Sequence, residues 1–168
     1  MTLLNWAKEL GCNYVRLAHY PHNEKMVRLA EKMGLMVWSE IPVYWTIQWE
    51  NKDTYQNAHN QLMEMIERDQ NRAAVIIWSI ANETPHGEAR DRFLSNLAKA
   101  AREKDNSRLL SMAMERSDKS ATVLSIQDKM SEYVDIISCN QYLGWYDGLN
   151  EKIDRVRWEV DYEKPLIF

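Results

Sequence analysis

Residues Val75–Pro85 read V-I-I-W-S-I-A-N-E-T-P. The run Val75, Ile76, Ile77, Trp78 is apolar on consecutive positions, which predicts a strand buried on both faces. It ends on a polar pair, Asn82–Glu83, with Pro85 two residues beyond. A carboxylate at the end of a buried strand must find a partner or a task, because an unpaired buried charge is costly. Glu83 either caps the helix that follows or does chemistry at the strand's tip.

Working outward from this strand, helices and strands alternate. Downstream, Phe93, Leu94, Leu97, Ala98 and Ala101 repeat at helical spacing, predicting a helix from about Glu88 to Lys104. A strand over Arg108–Met112 follows, then an ambiguous stretch, Ser117–Lys129, that reads as a short helix or an irregular loop. Val134–Ser138 reads as a strand, Asn140–Gly148 as a loop rich in Tyr and Trp, and about Leu149 to Tyr162 as a helix. Lys164–Phe168 begins another strand. Upstream, a helix with Ala58, Leu62, Met65 and Ile66 turned inward is capped by Asp53 or Thr54. A loop with Tyr44, Trp45 and Trp49 precedes it. Further back are a strand at Leu35–Trp38 and a helix capped by Asn23, with Met26, Leu29, Ala30 and Met33 on its apolar face. A strand at Tyr14–Ala18 and a first helix with Leu3, Leu4, Ala7 and Leu10, stopped by Gly11, complete the order.

Strand starts recur roughly every 20–40 residues, the size of a βα unit with a right-handed crossover. Such alternation implies a parallel sheet, closed into a barrel or left open. No G-x-G-x-x-G or G-x-x-x-x-G-K-[ST] follows any strand, which weakens a nucleotide-binding open sheet. The chemistry-bearing residues collect at one end of the strands: Arg16 and His19, then Glu40, then Asn82 and Glu83, then Met112, Met114 and Glu115, then Asn140, Gln141 and Tyr142. In a (β/α)8 TIM barrel these positions surround one mouth, where catalytic groups gather. The opposite turns carry Gly11, Gly34, Asn71-Arg72 and Ser107-Arg108, with no such collection. Glu40 and Glu83 could face one pocket, and paired carboxylates at a barrel mouth suit acid–base work on a glycosidic bond. His19-Tyr20-Pro21-His22 offers metal-ligand spacing, but Pro21 prevents a regular helix through the pair.

Composition narrows the class. The chain has 168 residues, 45% apolar and 27% charged, which suits one globular domain. A net charge of −4 leaves no basic footprint for nucleic acid. No run of 18 apolar residues exists to span a membrane, and the first ten residues lack the pattern of a signal peptide. Cys12 and Cys139, each beside an apolar run and without C-x-x-C spacing, read as buried free thiols. Seven Trp is a high count, suited both to core packing and to sugar stacking. Met26, Met33, Met63 and Met65 read as core.

Three blocks, N-Y-V-R-L-A-H-Y-P (Asn13–Pro21), G-L-M-V-W-S-E-I-P (Gly34–Pro42) and V-I-I-W-S-I-A-N-E (Val75–Glu83), together resemble glycoside hydrolase family two. The match covers essentially the whole chain. The loop D-I-I-S-C-N-Q-Y-L-G-W-Y-D-G (Asp135–Gly148) is most similar to the β-glucuronidase branch, with β-galactosidases and β-mannosidases as relatives. The resemblance implies a TIM barrel and a retaining exo-β-glycosidase acting by double displacement on a carbohydrate substrate, without a cofactor. It implies Glu83 as general acid/base, and Asn82 and His19 as sugar contacts. It further implies Arg16 as the charge that keeps the nucleophile ionised, and Tyr142 as the hydrogen-bond donor to that nucleophile. Trp145 and Tyr146 would shape the sugar-facing loop, and Glu40 and Asn140 would support the pocket.

In the family the nucleophile is a Glu just past a strand like Lys164–Phe168, so it is expected beyond Phe168. The Asn and Lys that read a uronate carboxylate are expected there too. About six of eight barrel strands are expected, the first and last being absent. The isolated chain is then expected to be inactive and to self-associate through open strand edges. A β-galactosidase parent and a non-catalytic sugar-binding fragment remain open alternatives.

Overall fold

The computed structural model describes residues 2–160 and 162–168. Its elements run α1 (Thr2–Glu9), β1 (Tyr14–Leu17), α2 (Glu24–Lys32), β2 (Met36–Glu40), α3 (Lys52–Asp69), β3 (Val75–Asn82), α4 (Glu88–Lys104) and β4 (Leu109–Met114). Then come β5 (Ser117–Ser120), β6 (Val123–Ser125), a 3-10 turn (Lys129–Glu132), β7 (Ile137–Cys139), a second 3-10 turn (Asn150–Arg155), β8 (Arg157–Glu159) and β9 (Leu166–Ile167).

Six strands form one parallel sheet in the order β1-β2-β3-β4-β7-β9. Spatial order follows chain order, as in a barrel wound one βα unit after another. The six strands make an incomplete (β/α) barrel. Strand β3 is buried along nearly its whole length, as its consecutive apolar residues predict.

Side chains alternate across the sheet and divide two apolar clusters between its faces. Val37 and Trp78 join the large cluster beneath the helices, with Leu62, Met65 and Ile66 of α3 and Phe93, Leu94 and Leu97 of α4. Their neighbours Trp38 and Ile77 join a smaller cluster with Ile136, flanked by Tyr14, Ile76 and Ile167. Each fully buried Leu, Ile or Phe of the large cluster contributes about 1.5–3 kcal/mol. Met112 and Met114 are also buried in that cluster, so they belong to the core and not to the mouth.

Helix α4 has the expected bounds. Helix α3 is capped by Asn51, not by Asp53 or Thr54: its Oδ1 accepts from the backbone N–H of both at 2.8 and 3.0 Å. In α1 only Leu4 is buried, and Leu3 and Leu10 are exposed. The Ser117–Lys129 stretch is neither helix nor irregular loop. Strands β5 and β6 pair antiparallel there, and β6 pairs parallel with β8 in a separate three-stranded sheet. The helix expected over 149–162 is replaced by the 3-10 turn and β8, with Asp161 outside the described residues. Leu149 and Ile153 are exposed, and the apolar residues of this stretch that meet the core, Trp158, Val160 and Tyr162, alternate at strand spacing. Cys139 is buried as expected, but Cys12 is exposed, in the turn after α1.

Candidate active site

The C-terminal ends of β1, β2, β3 and β7 bring Arg16, Glu40, Asn82 and Asn140 into one hydrogen-bonded network. Arg16 is its hub. Its Nε donates to Glu40 Oε2 at 2.8 Å and its Nη2 to Glu40 Oε1 at 3.1 Å. Nη1 donates to Asn140 Oδ1 at 2.5 Å, and Nη2 also to Asn82 Oδ1 at 2.6 Å. The guanidinium lies 4.9 Å from the Trp38 ring centroid, a cation–π contact. Glu40 is almost completely buried, with a relative exposure of 1%. Besides Arg16 it meets His19, whose Nδ1 is 2.7 Å from Oε1. Pairing of this completeness is what allows a carboxylate to be buried at all. Both its oxygens are engaged, so Glu40 anchors Arg16 and is not the second member of a carboxylate pair with Glu83. His22 points away, with Nε2 2.9 Å from the Ala18 carbonyl and its ring stacked on Tyr20.

The network fixes the amide of Asn82. Its Oδ1 accepts from Arg16 and from Asn140 Nδ2 at 2.9 Å. Its Nδ2 is therefore turned outward, 3.4 Å from Glu83 Oε2. An amide with its acceptor so occupied presents only donors to whatever enters the mouth.

Glu83 leaves the sheet through two local irregularities. The β3–β4 register shifts between Ser79 and Asn82, a bulge of the kind that re-aims a side chain. Glu83 itself has φ 46°, in the left-handed region. Its N–H donates to the Ala113 carbonyl at 2.8 Å, which holds the turn. The carboxylate is half-buried, and Tyr142 Oη donates to Oε1 at 3.0 Å. The resemblance implies this tyrosine as donor to the nucleophile; here Glu83 receives its hydrogen bond. Burial, and then the bond to Glu83, push the Tyr142 hydroxyl above its ordinary pKa, so it stays protonated and able to donate at neutral pH.

Tyr142 sits on the 140–148 loop, which is clamped at its far end. Asp147 accepts from Arg116 Nη1 at 2.7 Å and from Lys152 Nζ at 2.5 Å. Gly144 has φ 79°, a conformation that strains any side-chain-bearing residue, and a Cβ there would also displace the Asn150 side chain, 2.6 Å away. Gln141 closes the start of the loop, its Oε1 accepting from the N–H of Tyr142 and Leu143. Trp145 and Tyr146 are not in the pocket wall. They are 77% and 79% exposed, with Tyr146 5.3 Å from the Tyr142 ring and 5.9 Å from Trp145.

The resulting cleft, about 320 Å3, is lined by Trp45, Glu83, Glu115, Arg116, Asn140 and Tyr142. Two of these, Trp45 and Arg116, were not singled out as site residues from sequence. Nor were Arg90 and Asp128 behind the site. Arg90 is buried, donates from Nε to Thr84 Oγ1 at 3.0 Å, and forks onto Asp128 at 2.7 and 2.6 Å. It fixes the residue next to Glu83. A signal for it exists: Arg90 precedes Phe93, Leu94 and Leu97 by three, four and seven residues and so lies on the buried stripe of α4. Chemically, the arrangement offers two carboxyl groups on a partly enclosed cleft, exposed Glu115 and half-buried Glu83, with a protonated phenol on Glu83 and fixed amide donors beside it.

A β-glucuronidase of Chlorocebus aethiops is 32% identical over 98% of this chain and 26% of its own length. A β-glucuronidase of Streptococcus agalactiae is 29% identical over 98% of this chain and 31% of its own. The chain thus spans less than a third of these curated relatives. Among solved structures, a β-glucuronidase of an uncultured Clostridium superposes with a TM-score of 0.71 at 30% identity, covering 86% of this chain and 25% of that one. The family model described as "Glycosyl hydrolases family 2, TIM barrel domain" matches residues 2–168, and the chain belongs to that family.

Proposed function

We propose that this chain carries the acid/base half of a retaining β-glycosidase, of the β-glucuronidase type. The observation that carries the reading is the Glu83 carboxylate, lifted off the tip of β3 on a left-handed residue and held between Tyr142 and Asn82 at a barrel mouth. The names of the relatives support a glucuronide as substrate.

In this mechanism the glycosidic oxygen sits within about 3 Å of Glu83, which protonates it as the bond to the anomeric carbon breaks. A second carboxylate, supplied from just past β9, attacks the opposite face of the sugar and forms the glycosyl-enzyme. The two carboxylates would stand about 5–5.5 Å apart, the spacing of a retaining enzyme. Glu83, now ionised, then takes a proton from water, which displaces the enzyme carboxylate. Asn82 Nδ2 donates to the sugar 2-hydroxyl, a bond that strengthens as the ring gains oxocarbenium character. Arg16 acts through Asn82 and lends positive charge to the floor of the mouth.

The test is Glu83→Gln in the full-length protein, assayed on phenyl β-glucuronide and phenyl β-galactoside. The expected loss of kcat/KM is about 10²–10⁴-fold, the usual contribution of a positioned acid/base, with the glucuronide the better wild-type substrate. Turnover within about tenfold of wild type refutes the role of Glu83. A wild-type preference for the galactoside refutes the glucuronide.

A further inference from the structure

We propose that Trp45 is the platform for the leaving group of the glycoside, and that the leaving group it takes is aromatic. The inference rests on the acid/base reading of Glu83. Among the described residues, two non-glycine residues have positive φ, Trp45 at 55° and Glu83 at 46°. Both line the same cleft. A bulky residue in this region is strained by about 1–3 kcal/mol and persists only where the surroundings hold it.

The backbone around Trp45 supplies that hold, and does so from the catalytic strand. The Trp45 N–H donates to the Asn82 carbonyl at 3.1 Å, the Asn82 N–H donates to the Val43 carbonyl at 2.8 Å, and Tyr44 bridges Asn82 as a parallel β-pair. The loop carrying Trp45 is thus fastened to the residue immediately before Glu83. Core packing gives no reason for the tryptophan. It is 64% exposed, and its aromatic neighbour is Tyr44, met nearly perpendicular at 5.7 Å. A large apolar ring held in a strained conformation and left open to solvent contributes nothing to the core.

The direction follows from the chemistry. The sugar's 2-hydroxyl belongs with Asn82, deep in the network. The oxygen protonated by Glu83 leads from the sugar to the leaving group, which must then extend into the cleft that Glu83 shares with Trp45. Of the other lining residues, Glu83, Glu115 and Arg116 are charged, and Asn140 and Tyr142 are tied by hydrogen bonds to Arg16 and Glu83. Arg116 is already paired with Asp118 and Asp147, and Glu115 is an exposed carboxylate. Of the two aromatic rings lining the cleft, Tyr142 is held by its bond to Glu83 and Trp45 is the exposed one, and a flat ring stacks on indole more favourably than a small alkyl group does.

The experiment compares wild type, Trp45→Ala, Trp45→Phe and Trp45→Gly in the full-length protein on phenyl and methyl β-glucuronide. We expect Trp45→Ala to lower kcat/KM about tenfold on the phenyl glycoside and less than about twofold on the methyl glycoside, with Trp45→Phe restoring most of the loss. Trp45→Gly should lose the phenyl preference equally while keeping or raising Tm, because glycine relieves the left-handed strain. Equal losses on both substrates overturn the proposal. So does a larger loss on the methyl glycoside, whose poor leaving group depends most on protonation, since that marks a disturbed Glu83. If wild type cleaves neither glucuronide, the series is run on phenyl and methyl β-galactoside; cleavage of none of the four means the acid/base reading itself fails, a result distinct from cleavage without discrimination by the Trp45 variants.

Discussion

Replacing Arg16 by Lys tests whether the hub works by geometry or by charge. Arg16 makes two hydrogen bonds to Glu40, one to Asn82 and one to Asn140. A lysine keeps the positive charge but concentrates it at one nitrogen, which cannot span the carboxylate and both amides at once. With Glu40 almost fully buried, the ammonium goes to the carboxylate, because a buried charge without a partner is the costlier outcome. The bonds to the two Oδ1 atoms are then lost. Bonds from a charged donor are worth about 1.5–3 kcal/mol each, but Asn82 Oδ1 keeps its partner Asn140 Nδ2, so the amide loosens without being freed. A loss of about 1.4–2.8 kcal/mol of transition-state stabilisation, or about 10–100-fold, follows. On the proposed role of Asn82, a sugar contact that strengthens in the transition state, kcat and kcat/KM should fall together while KM changes little. The assay is a double-mutant cycle with Asn82→Ala on an aryl β-glucuronide in the full-length protein. Once the amide is gone, Arg16→Lys should cost less than about threefold more, since the two residues act as one unit. Full additivity would refute the coupling to Asn82, and the absence of any loss from Arg16→Lys alone would leave Arg16 acting through its charge.

The buried pair behind the site makes a second prediction. Arg90→Met leaves Asp128 buried without its fork, which costs about 3–5 kcal/mol, or roughly 6–20 °C in the barrel's unfolding transition by calorimetry. Adding Asp128→Asn should recover part of that loss, whereas a shift under about 2 °C for Arg90→Met would refute the pairing. The two thiols make a third. Burial pushes Cys139 up to about 12, so near pH 8 it holds almost no thiolate. Of Cys12 and Cys139, only Cys12 should be alkylated by iodoacetamide in the native chain, and both should react after denaturation. Native labelling of Cys139, read by peptide mass, would contradict the burial.

The parts of this fold legible in sequence are those with local, repeated signals. Helix α4 could be bounded because its five apolar positions recur at helical spacing with charge between them, and β3 because four apolar residues stand together. What escaped depends on partners distant in the chain. Strands β6 and β8 are three residues each, too short for an alternating pattern to register, and they exist because Val123–Ser125 pairs with Arg157–Glu159. The 149–162 stretch read as helix by default of any stronger signal. At the site, Arg16, Glu40, Asn82, Glu83, Asn140 and Tyr142 were legible because each follows an apolar run and so belongs to one end of the sheet. Trp45 was not, because a single loop tryptophan has no period, and its importance comes from a backbone angle that no local pattern encodes.

That angle exposes a difference between the two ends of the barrel. At the helix-to-strand turns before β1 and β2, positive φ falls on Gly11 and Gly34, at 80° and 69°. No side chain is wanted there, and glycine adopts the conformation freely. At the strand-to-helix end glycine again takes that region at Gly144 and Gly148, but so do two residues with side chains, Trp45 and Glu83. Glycine would relieve about 1–3 kcal/mol at each, yet it would remove the carboxyl group at one position and the ring at the other. The cost is tolerated because the Asn82 and Ala113 carbonyls grip the two N–H groups and because β2, β3 and β4, on which the turns are built, are buried almost throughout. Local preference and tertiary structure agree along most of this chain and part company at the cleft, as expected where a fold has been bent to hold chemistry.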